Sequence, residues 1–287
     1  MSSSEKKEKK EKKSQWTTNP LNEKAMDYHV YEMTTGEKLV SGMIAFVVGG
    51  LVSMIFYGGL FKQEGTATLY TYISDVSIFC IVGLVAAIAF ISIRRKQLLE
   101  KRHNDLRAQF RDMLESMTAS LAANGTVQDA FISAYNDMKI QYSDNAYITK
   151  ELEQMVYATR NNVPLEDMID DFAKRSGIDD VKDFADVFRV SRGPGGNMSN
   201  VMRQTHSIIG DKMAIEDEID AKINSNKLEL NIIMVAPFLI VAMLRFTNPT
   251  FAESFVTLKG VLVSTAALIL FYISYLLGQK IIDGARN

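Results

Sequence analysis

The sequence predicts an all-α, polytopic membrane protein with four transmembrane helices and a cytoplasmic six-helix bundle. Three observations carry this. Four apolar runs, at about residues 39–61, 76–93, 228–246 and 261–282, each approach the roughly 20 residues a bilayer requires. The stretch between the second and third runs repeats apolar residues at helical spacing and shows no strand alternation. Basic residues gather on one side of the apolar runs. The expected organisation is a polar, disordered cytoplasmic tail over residues 1–38, two transmembrane helices over 39–93, a cytoplasmic helical domain over 94–227, and two more transmembrane helices over 228–287.

The totals conceal this division. The chain has 287 residues, with 32 Lys and Arg against 34 Asp and Glu, so no bulk charge draws it to nucleic acid. The single cysteine, Cys80, lies inside an apolar run, which excludes an intrachain disulfide framework. The tail opens with a Lys/Glu tract of both signs and no apolar residue, the composition of a disordered segment. The first apolar run starts too late, and is too long, to be a signal peptide.

Charge asymmetry orients the spans. Eight Lys residues precede the first span, and Arg94, Arg95, Lys96, Lys101 and Arg102 follow the second directly. Lys280 and Arg286 follow the fourth. The positive-inside rule then places both termini and the central segment in the cytoplasm of a multi-pass membrane protein, with two short loops outside. Span three carries Pro237 at its middle, read either as a packing kink or as a hinge. Span two has Gly83 and Ala87 at the spacing of a helix-contact face.

Six helices are expected in the central segment. Phe110, Met113, Leu114, Met117 and Leu121 share one face of the first, which Asn124-Gly125 ends, with Gly125 in the left-handed capping position. Thr126 caps a second helix with Val127, Ala130, Phe131, Ala134, Tyr135 and Met138 inward. A third covers about 145–161. Pro164 opens a fourth, which Ser176-Gly177 ends, and a fifth runs over about 179–191. Gly193-Pro194-Gly195-Gly196 breaks the chain, and Asn197 caps a sixth helix that runs about 45 Å before it meets the membrane.

No active site emerges. His29, His103 and His206 have no metal-ligand spacing, which favours packing or surface roles. The Gly-rich turn at 193–197 precedes a helix, yet Asn197 stands where a phosphate-binding loop needs Lys, and the preceding segment is helical. Acidic clusters at 166–171, 179–186 and 216–220 read as solvated helix faces; the rival reading is a docking surface for a basic partner or a loosely held divalent ion. The chain is therefore expected to be no enzyme and to hold no cofactor.

One ordered set of segments resembles a known family. Phe110 to Gly125, Gly196 to Met202, Ala214 to Lys222 followed by Pro237-Phe238, and Asn248-Pro249-Thr250-Phe251 are similar to elements of the inner-membrane platform proteins of type II secretion and type IV pilus machines, those with a secretion-protein-F domain. The chain looks most like the TadB-type protein of tight-adherence (Flp) pili, from about residue 76 to its end. The Lys/Glu tail, the loop at 62–75 and Asn224-Ser225-Asn226 depart from the family pattern. The resemblance implies a platform that couples a hexameric secretion ATPase to pilin assembly, with a second TadC-like platform protein, pilin subunits and membrane lipid as partners, in a homo- or hetero-oligomer. Candidate docking residues are Arg107, Arg111, Arg189, Arg192 and Arg203; candidate coupling positions are Gly125, Gly196, Pro237, Asn248 and Pro249. The alternative is a membrane-anchored signalling or scaffold adaptor. A transporter would place ionisable residues mid-membrane, and spans one, two and four have none there.

Overall fold

The computed structural model of the chain describes residues 14–61, 68–191 and 198–284. Within them the chain is almost entirely helical, in nine helices and one short hairpin. The hairpin pairs β1 (Trp16–Thr18) with β2 (Lys24–Met26). The helices are α1 (Thr35–Tyr57), α2 (Leu69–Ala122), α3 (Val127–Tyr142), α4 (Tyr147–Arg160), α5 (Leu165–Ser176), α6 (Asp179–Ser191), α7 (Met198–Thr247), α8 (Pro249–Phe255) and α9 (Leu258–Gly284). The fold divides into two units, one of residues to Glu32 with Arg95–Met213, the other of Met33–Arg94 with Ala214–Asn287.

Four helices are long and apolar enough to cross a membrane: α1, α2, α7 and α9. Helix α2 does not stop at the end of its apolar run. It continues as one 54-residue helix, because no Gly or Pro occurs between Gly83 and Gly125. Helix α7 likewise passes unbroken through both Gly210 and Pro237. In the apolar unit, α1 lies against α2 where side chains are small: a Cβ on Gly49 would meet Ala86 at 2.6 Å, and one on Gly83 would meet Phe46 at 2.8 Å. Helix α1 starts in a full capping box, Thr34 Oγ1 accepting from Glu37 N and Glu37 accepting from Thr34 N. Phe56 stands edge-on to Phe238, which contacts Phe271, so α1, α7 and α9 share an aromatic seam.

The other unit has one core. Phe110, Met113, Leu114 and Met117 of α2 pack with Phe131 of α3, Leu152 of α4, Phe172 of α5 and Phe184 and Phe188 of α6. Met202, Ile209 and Met213 bring α7 into it. For α2 and α3 these are the inward faces the periodicity predicts.

Two details differ from the sequence expectation. The left-handed residue after α2 is Asn124 (φ 64), whose side chain tolerates that region. Gly125 serves a different need: a Cβ there would lie 2.8 Å from the Ser120 carbonyl oxygen. The expected disordered tail over 1–38 also does not hold for residues 14–38. They form the hairpin, a strap anchored by buried Tyr28 and Met33, and the start of α1. The Lys/Glu tract and the turn at 193–197 lie outside the described residues.

Candidate functional site

The strap converges on the polar centre of the helical unit. A two-stranded hairpin is marginal alone, and this one is held by side chains at its turn and its end. Asn19 Oδ1 accepts from Leu21 N and Glu23 N, while its Nδ2 donates to Gln154 Oε1 on α4 at 3.0 Å. Past β2, Tyr28 is 1% exposed, edge-on to Tyr147 and Phe172. Its backbone N donates to the Arg175 carbonyl, and its carbonyl lies 2.8 Å from His103 Nε2. The Arg102 guanidinium stacks on Tyr31 and donates to the Val30 carbonyl.

Beneath Tyr28 lies a buried ion pair. Arg175 Nη1 and Nη2 donate to the two Glu151 oxygens at 2.8 and 2.6 Å, its Nε donates to Asp171 at 2.6 Å, and Nη1 also reaches the Met26 carbonyl. The Tyr28 hydroxyl donates to Glu151 Oε1 at 2.9 Å. Burial works against the Arg175 charge, but Glu151 and Asp171 outweigh it and hold the guanidinium pKa above its usual value. Burial first, then the Glu151 charge, pushes the Tyr28 phenol well above its usual range.

That shift has a sign. Below about pH 10 the phenol is neutral in both folded and unfolded chain, and its contribution is intact. Above that pH the unfolded chain ionises and the folded one does not, so stability falls by about 1.4 kcal/mol per pH unit until Tyr28 itself ionises. The expected outcome is a steeper alkaline loss of thermal stability in wild type than in Tyr28→Phe, measured between pH 8 and 11.

A second node ties α7 to the core. Asp180, 2% exposed in the first turn of α6, accepts from Arg107 Nε of α2 at 2.8 Å and from Lys212 Nζ of α7 at 2.6 Å. A third joins α2 to α3: Asp112 accepts from Gln141 and from the Tyr142 hydroxyl, whose pKa is pushed up to about 12 by burial and by that carboxylate. The acidic clusters are thus partly consumed by internal pairs, Asp170 with Arg189, Asp171 with Arg175 and Asp180 with two cations. No group of three or more metal-ligating side chains occurs among the described residues.

Three of the candidate docking arginines are paired with carboxylates of the same chain. Arg107 pairs with Asp180, Arg111 with Asp112, and Arg189 with Asp170 and Asp186. Arg203 is exposed on α7. Arg192 and Gly196 lie outside the described residues. Asn248 and Pro249 open α8, the Asn248 side chain accepting from Phe251 N and Pro249 filling the first turn. In the apolar unit Arg245 donates to the Ile55 and Gly58 carbonyls at the end of α1.

The helical core and the path of α7 out of it are the features that a comparison with known proteins singles out. Residues 113–245 match the family model of the type II secretion system (T2SS) protein F. The matched region begins inside α2, at core residue Met113, and ends at Arg245 near the end of α7. It covers a little under half of the chain, less than the span from residue 76 that the sequence resemblance suggested. With four membrane-length helices, it points to an inner-membrane protein. Nothing among curated proteins matches the chain, and nothing among solved structures does.

Sequence reading missed Glu151, Arg175 and Tyr28, and placed Asp180 only within an acidic cluster. A signal for two of them existed. Arg175 follows Met168 and Phe172 at spacings of seven and three, and Glu151 lies between Ile148 and Leu152 on an otherwise apolar face. A charge within such a stripe must find a partner.

Proposed function

We propose that this protein is a non-catalytic inner-membrane platform of a Tad/Flp type IV pilus or type II secretion-like machine, and that it couples a cytoplasmic secretion ATPase to pilin assembly. The observation that carries the reading is the protein F match over residues 113–245. Proteins of that family are generally platforms without catalysis, working with secretion ATPases and other platform proteins. The architecture supports the same job. The protein F region belongs partly to a helical core fastened by internal ion pairs and partly to a membrane-length helix, and α7 belongs to both without a break. Displacement of the core by an energy-supplying partner would pass into the bilayer along such a helix.

In this reading the helical unit is a cytoplasmic six-helix bundle, both termini are cytoplasmic, and a TadC-like second platform protein and pilin subunits meet the chain at the membrane. Arg203 is the docking candidate we favour, since it is exposed while Arg107, Arg111 and Arg189 each face a carboxylate of their own chain. The test is crosslinking in native membranes followed by mass spectrometry of what purifies with the full chain. The expected result is a secretion ATPase linked to residues 94–227, with Arg203→Glu weakening that link. Recovery of kinases or receptors while the pilus proteins are expressed would overturn the reading in favour of a signalling adaptor.

A further inference from the structure

The apolar unit contains a cavity of about 470 Å³ at the end where α1 stops and α9 begins. Phe56 of α1, Val241 of α7, Phe251 and Phe255 of α8, and Val263 and Ala267 of α9 give it an almost wholly apolar wall. Its size and lining are those of a site for a small apolar ligand, which needs only a few polar groups to fix its orientation.

The polar groups on the wall are committed, with one exception. Ser254 Oγ donates to the Thr250 carbonyl, Thr257 Oγ1 to the Ser254 carbonyl, and Ser264 Oγ to the Gly260 carbonyl, each within its own helix or turn. Arg245, which stacks on the Phe255 ring, spends its guanidinium on the Ile55 and Gly58 carbonyls. Lys259 is different: it is exposed, lines the cavity, and forms no ion pair among the described residues. The site is an apolar chamber between membrane-length helices, and among the described residues Lys259 is the one cation on its wall without an ion pair.

We infer that this cavity binds an anionic phospholipid, with an acyl chain against Phe56, Phe255 and Val263 and the headgroup phosphate on Lys259. An acyl chain suits an apolar cavity of about 470 Å³, and it is the ligand the surroundings of such helices supply. A basic residue at a bilayer surface contributes about 1 kcal/mol toward an anionic lipid, which is about a fivefold preference. A zwitterionic lipid with the same chains would fill the chamber without that gain.

The test uses the full chain, purified in detergent and stripped of lipid. Phosphatidylglycerol and phosphatidylcholine with matched chains are titrated in turn, and bound lipid is counted by native mass spectrometry. Wild type is expected to take one tight phosphatidylglycerol with about fivefold preference over phosphatidylcholine. Lys259→Gln, at an exposed position that leaves the packing untouched, is expected to abolish the preference while keeping the phosphatidylcholine affinity. Ala267→Phe, which fills the chamber, is expected to weaken both lipids. Equal binding of the two lipids by wild type, or a preference that survives Lys259→Gln, overturns the headgroup assignment. Unchanged lipid binding in a folded Ala267→Phe protein overturns the chamber.

Discussion

Replacing Tyr28 with alanine is expected to destabilise the helical unit by about 3–5 kcal/mol and to release the strap. The ring is 1% exposed, touches Tyr147 and Phe172 edge-on, and lies over the Arg175–Glu151 pair to which its hydroxyl is bonded. Removing it leaves a cavity beside a buried charge, and the side chains around it belong to three different helices that cannot all close in. Trp16, the single tryptophan, sits on β1 under the Lys24 ammonium at 4.2 Å. Its fluorescence therefore reports the strap directly. In Tyr28→Ala the Trp16 transition should come before the loss of helix on heating, whereas in wild type the two should coincide. A disordered tail would make Tyr28→Ala silent, so an unchanged melting profile would refute the strap. Tyr28→Phe keeps the ring and loses only a hydrogen bond to a charged acceptor, and should cost about 1.5–3 kcal/mol.

Glu151→Gln is expected to cost about 3 kcal/mol or more, since it strands a guanidinium that is 6% exposed. Asp171 still reaches Arg175 Nε, which keeps the loss from the top of the range for a broken buried pair. Replacing both partners, with Glu151→Leu and Arg175→Met, should cost less than Glu151→Gln alone, because the two most buried charges then go together and, of the remaining charges, only the part-exposed Asp171 loses a partner. Denaturant unfolding of the full chain in detergent measures both variants against wild type. A double variant less stable than the single would show that the pair contributes net stability rather than specifying which surfaces meet. Tyr28→Phe and Glu151→Gln share one hydrogen bond, so their costs should not add.

Much of the architecture was legible because it is local. Apolar runs of bilayer length and periodic faces such as Phe110-Met113-Leu114-Met117 depend only on neighbours along one helix. The helix ends of the central segment were legible for the same reason: Thr126 forms a capping box with Asp129, and Gly177 takes the left-handed position at φ 65. The sites were less legible. Among the candidate arginines, only the structure reveals that Arg107 and Arg189 already have carboxylates of their own chain.

The strap shows where local reading fails. Its strands are three residues each, too short for an alternation to register, and its apolar residues Trp16, Ala25, Tyr28 and Met33 follow no period. Beside a Lys/Glu tract they read as tail. Their meaning comes from Gln154, Glu151, Arg175 and His103, which lie between 75 and 149 residues away along the chain in the bonds they make to the strap.

By itself, then, the sequence determined that the chain is helical, that four of its segments match a bilayer, where most helices start and stop, and which faces are apolar, since each of these is set by side chains within a turn or two of one another. Only the tertiary structure decided that residues 14–33 fold, that Arg175, Glu151 and Tyr28 meet, and that Asp180 ties α7 to the core, because burial makes these charges depend on partners that no local pattern names.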